Sequence, residues 1–141
     1  MKKPSVVVVL GWVGFLLSVG GGILYFAVPN AWPVYLNITQ SPGESPADGV
    51  IFLARTIALL DIAIGLAYLF AALDRAAARS LLIVATCDKF LGVLAALLHL
   101  FPKSLNDRLL AGHILNGILA LVGIYAIAVA GKQKDMAEAK S

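Results

Sequence analysis

Charge is scarce in this sequence. Charged residues make up 13% of its 141 positions, hydrophobic ones 60%, and the mean hydropathy is +0.91. A soluble domain carries about 25% charged and about 45–50% apolar residues, so lipid must cover part of this chain. Cysteine is nearly absent. Cys87 stands alone, which excludes an intramolecular disulfide and a paired-cysteine redox motif. Lying within an apolar run, it reads as a small buried packing residue. No HExxH or comparable metal-hydrolase cluster occurs, and no stretch interleaves aromatic with basic residues. The net charge of +3 and pI near 9.2 therefore do not indicate nucleic acid. Lys2, Lys3, Arg75, Arg79, Lys103, Arg108, Lys132 and Lys134 sit at the ends of apolar runs, which is a topology signal.

What is present is four long apolar runs in one domain. They predict helices over about 5–28, 49–73, 80–101 and 109–130, with Pro29-Asn30, Asp74-Arg75, Pro102-Lys103-Ser104 and Gly131-Lys132 as stops. At ~1.5 Å per residue each can cross a hydrocarbon core of ~30 Å. The first run is too long for the ~7–15-residue apolar region of a secretory signal, so it reads as an uncleaved span. The expected fold is all-α: a polytopic four-transmembrane-helix bundle.

Lysine and arginine set its direction. Seven lie at the N-terminus, in the second loop and in the tail 131–141; the first loop has none and the third has two, Lys103 and Arg108. By the positive-inside rule both termini are cytoplasmic, in an inner (plasma) membrane protein with loop 29–48 outside. That loop holds Trp32 and Tyr35, which read as interfacial anchors, and an Asn37-Ile38-Thr39 triplet read as a chance match to a glycosylation site. The tail reads as polar, helix-permissive and frayed.

Helices in lipid associate through small and polar residues at a spacing of three and four. Such rows run through Gly11, Gly14, Ser18, Gly21 and Tyr25 on the first helix, and Ala54, Ala58, Asp61, Gly65, Tyr68 and Ala72 on the second. They continue through Ala85, Asp88, Gly92, Ala95 and His99 on the third, and Gly112, Asn116, Ala120, Gly123 and Ala130 on the fourth. Ionisable groups within the spans are the most informative feature, because a charge at mid-membrane costs at least ~2.5–3.5 kcal/mol and must find a partner. Asp61 and Lys89 come to the same depth, ~18 Å from the outer ends, so an ion pair between them is expected. Asp88 is nearly level with them, and Arg55 enters ~9 Å deep with a side chain able to point either way. His113 reaches a similar level and Asn116 lies one turn deeper.

Arg55, Asp61, Asp88, Lys89, His113 and Asn116 thus form the candidate polar cluster, its four charges summing to zero. It serves either to fix helix register or to bind a ligand. A lipid or quinone-like molecule would place its headgroup among Arg55, Asp61, His113 and Asn116. Haem b between His99 and His113 is a further alternative, though the sequence requires no cofactor. No catalytic constellation and no metal-ligand set is apparent. A proton path would be half built, because the inner half offers only Ser18, Tyr68 and Thr86.

The pattern Arg55-x5-Asp61-x3-Gly65, followed by Asp74-Arg75 and a small-residue third helix with Lys89, resembles the DoxX-like group of bacterial four-helix membrane proteins. The resemblance covers residues 50–100. It implies an accessory role beside quinone-linked respiratory or oxidoreductase complexes and transfers no catalytic residue. The functional expectation is an accessory or structural subunit of a bacterial membrane complex, with membrane lipids and a second copy or larger complex as partners. The alternative is a binder or carrier of a lipid, quinone or other small ligand at the buried cluster.

Overall fold

The computed structural model describes residues 5–28, 48–100 and 107–138, and within them the side chains of 5–28, 48–49, 51–94, 97 and 114–132. The chain is all-α there, with four helices: α1 Val6–Ala27, α2 Asp48–Leu73, α3 Ala78–Leu100 and α4 Asp107–Glu138. Trp32, Tyr35, Asn37 and Lys103 lie outside the described residues, as do the side chains of His99, Arg108 and His113.

Three helical segments, Val6–Ala27, Ile51–Leu73 and Ile114–Lys132, are long and apolar enough to cross a membrane. Their outward faces carry large apolar side chains such as Phe52, 74% exposed, and Leu121, 70% exposed. Such a surface suits lipid and would be costly in water. α3 has 23 residues and similar length, but it carries Arg79, Asp88 and Lys89.

Local chemistry sets the helix ends. The Ser5 hydroxyl caps α1 by accepting from the Val8 amide at 3.4 Å, and the Val28 amide closes the other end on the Leu24 carbonyl at 2.9 Å. Between α2 and α3 the Asp74 carboxylate accepts from the amides of Ala76 at 2.8 Å and Ala77 at 3.4 Å. This Asx-type turn satisfies the two amides just before α3 and allows a four-residue hairpin connection. The helix-permissive tail is helical in its described part, α4 running past Gly131 to Glu138. Lys132, Gln133, Lys134, Met136 and Ala137 are good helix formers, and a single glycine costs a helix only ~1 kcal/mol.

The helices form a ring in which each touches the two beside it in the order α1, α2, α3, α4. The α1–α2 seam is the closest. A Cβ on Gly11 would stand 2.6 Å from the Tyr68 carbonyl, one on Gly22 2.6 Å from the Ala58 carbonyl, and one on Gly65 2.6 Å from Val19. Early positions of α1 meet late positions of α2, so the two are antiparallel. Tyr68, fully buried, lies flat against Gly14, whose absent side chain makes room for its ring. α3 and α4 are also antiparallel, with Gly123 against Thr86 and Gly131 against Arg79. Lipid tails are as apolar as leucine, so this close fit, not exclusion of water, holds the seams.

Two faces are rotated from the expected rows. On α1 the buried glycine is Gly22, with Gly21 only half-buried. On α3 the inward row is Leu82, Ala85, Thr86 and Lys89, while Asp88 is half-exposed and Cys87 is exposed instead of packed. Thr86 faces inward because it fits the gap left by Gly123, and the adjacent Cys87 is thereby turned about 100° away.

Candidate functional site: an ion cluster on a four-helix cavity

α2 and α3 bring their charged residues together at mid-height. The Lys89 ammonium lies 3.4 Å from Asp61 Oδ1 and 3.0 Å from Asp88 Oδ2. Lys89 is inserted into the bundle, its side chain 7% exposed, while those of Asp61 and Asp88 are 28% and 39% exposed. The Asp61–Lys89 contact expected from matched depth is therefore made. A third partner, Asp88, shares the same ammonium.

Arg55 stands apart. It is exposed, and its guanidinium carbon lies 5.8 Å from the centre of the Phe26 ring, at the α1–α2 seam near the end of α1. This cation–π contact uses the long side chain where it emerges from the bundle. Without Arg55 the local charge is one ammonium against two carboxylates. Among the described side chains the cluster is therefore one charge short of balance, at −1 when all groups are ionised.

Beside the cluster is a cavity of about 190 Å³ to which every helix contributes. Its polar lining is Ser18 and Tyr25 from α1, Asp61 from α2, Lys89 from α3 and Asn116 from α4, with leucines between them. Asn116 is held over Gly92, where an added Cβ would lie 3.4 Å from its amide nitrogen. Of the six candidate residues, Asp61, Lys89 and Asn116 share this cavity, Asp88 reaches it through Lys89, and Arg55 does not line it. The His113 side chain lies outside the described residues. Ser18 and Tyr25, both placed in sequence on the packing row of the first helix, are the polar cavity residues that sequence reasoning did not assign to the cluster.

Three buried hydroxyls, of Ser18, Tyr68 and Thr86, have no hydrogen-bond partner among the described residues. A buried unsatisfied polar group costs about 1–3 kcal/mol, so each needs a reason. For Tyr68 and Thr86 the reason is shape, since each fills the space left by a glycine on the facing helix. Ser18 likewise packs against a glycine, its Cβ 3.3 Å from where a Cβ on Gly65 would stand, and it also lines the cavity.

The arrangement offers a carboxylate, an ammonium, an amide and a hydroxyl around one small volume. Among the described residues no three of His, Cys, Asp or Glu come together as a metal site would require. Comparison with protein-family models, curated proteins and solved structures finds no match, so the local chemistry carries the functional reading.

Proposed function

We propose that this chain is a four-span protein of the bacterial inner (plasma) membrane, both termini cytoplasmic, that binds a small ligand in the half-open cavity lined by all four helices. The fourth span would be α3. Its support is position: α3 lies between two helices able to cross a membrane, and contacts α4 from Arg79–Gly131 to Gly92–Asn116. The distribution of lysine and arginine supports the orientation. A reporter fused after Lys140 is expected to be active in the cytoplasm and silent outside.

One observation carries the ligand reading: polar groups from four helices converge on one cavity, and the buried Ser18 hydroxyl has no partner among the described residues. The test is native mass spectrometry of gently extracted protein. A non-protein mass retained by the wild type and lost from a folded Ser18→Leu/Asn116→Leu variant is expected. Identical spectra for the two proteins would overturn the reading.

The accessory-subunit reading, with the DoxX-like likeness behind it, draws support from the closely fitted α1–α2 seam, which suits a rigid scaffold. It predicts that chemical cross-linking in native membranes joins the chain to a partner of another mass, and that variants of the cavity leave this product unchanged.

A further inference from the structure

Resting on the cavity's being a ligand site, we infer that its ligand is a small monovalent cation, and that the cation takes Asp61 from Lys89. The charge count leads there. Asp61 and Asp88 face one ammonium, and Arg55 is exposed over Phe26. An unbalanced charge within a membrane is expensive, and a single positive charge balances this one.

The distances show where it enters. Lys89 is held closer by Asp88, at 3.0 Å, than by Asp61, at 3.4 Å, and the latter is long for a charge-assisted hydrogen bond. Asp61, and not Asp88, lines the cavity. A cation that displaces Lys89 from Asp61 leaves the ammonium with its nearer partner, so no charge is stranded at any stage. Two neutral side chains that line the same cavity, Ser18 and Asn116, would supply further oxygens. One carboxylate with neutral oxygens is a hard-ligand set suited to a charge of +1. Size agrees. A cavity of about 190 Å³ is smaller than the ~300–1,000 Å³ of drug-sized pockets, yet has room for an ion and several waters.

Occupancy by the cation and the Lys89–Asp61 contact are mutually exclusive. Because that contact joins α2 to α3, the cation alters the one ion pair that bridges these helices among the described residues. Lys89 is the built-in competitor, and its removal should strengthen cation binding.

The experiment is thermal unfolding in detergent at constant ionic strength, replacing N-methylglucamine chloride by sodium, potassium or methylammonium chloride. The first two probe an alkali ion and the third a protonated amine. Expected is a saturable rise in Tm with at least one of the three. Asp61→Asn and Ser18→Ala should flatten the curve, and Lys89→Met should move its midpoint about tenfold lower in salt. A purely structural ion pair would not produce that last shift. The inference is overturned if wild-type Tm is the same in all four salts, or if Asp61→Asn keeps the full response. If the native spectra still show a bound mass in that case, the ligand-site reading stands and only its cationic nature falls. If they show none, both fall.

Discussion

Gly22 and Gly20 lie two positions apart on α1, and substituting each by alanine asks whether close helix contact holds this bundle together. A Cβ at Gly22 would stand 2.6 Å from the Ala58 carbonyl oxygen and 2.7 Å from Ile62 Cγ1. Backbone cannot step aside as a side-chain tip can. Restoring an ordinary contact of 3.4 Å requires α1 and α2 to part by about 0.8 Å there. A radial gap of 0.5–1 Å forfeits about a quarter to a half of the dispersion attraction across it, and Gly11, Gly14 and Gly65 share the same seam. Overpacking of this kind costs about 1–3 kcal/mol, and about 2 kcal/mol is expected for Gly22→Ala. Gly20 is exposed, with nothing within 4 Å of its added Cβ. Gly20→Ala should cost nothing and gain up to ~1 kcal/mol in helix propensity. Reversible unfolding by dodecyl sulfate in mixed micelles measures both. Values agreeing within about 0.5 kcal/mol, the scatter of neutral substitutions, would refute the close-contact account.

The same assay reads three further expectations. Lys89→Met removes the ammonium that two carboxylates share and should cost about 3–5 kcal/mol, while Asp61→Asn leaves Lys89 paired with Asp88 and should cost clearly less; the reverse order would contradict the shared ammonium. Gly123→Ala collides with the Thr86 side chain, so Thr86→Ala should recover much of its cost, with a coupling of about 0.5 kcal/mol or more in a double-mutant cycle; additive effects would count against that contact. Tyr68→Phe removes a buried hydroxyl without a partner among the described residues and should be neutral or stabilising, whereas Tyr68→Ala should cost about 3–5 kcal/mol through the cavity it opens. A large loss for Tyr68→Phe would show that the hydroxyl is engaged.

The sequence by itself determined what depends on position along a helix axis. Apolar runs and their Pro, Asp-Arg and Gly-Lys stops located the helices to within one or two residues at most ends, because solvation by lipid is read from composition. The level of a side chain also follows from counting, so Asp61 and Lys89 were expected to meet, and they do at 3.4 Å. Rotation about the axis is a different matter. Adjacent residues are about 100° apart, and Gly21 and Gly22, or Asp88 and Lys89, are equally plausible at an interface when either could serve it. Only the facing helix decides. The Ala58 carbonyl requires Gly22, Gly123 admits Thr86 and so brings Lys89 inward, and Phe26 receives Arg55 away from the cavity. That last contact leaves, among the described side chains, one ammonium against two carboxylates in a cluster whose charges sum to zero in sequence. Depth belonged to the sequence and facing belonged to the packing, and the chemistry of the cavity follows from facing.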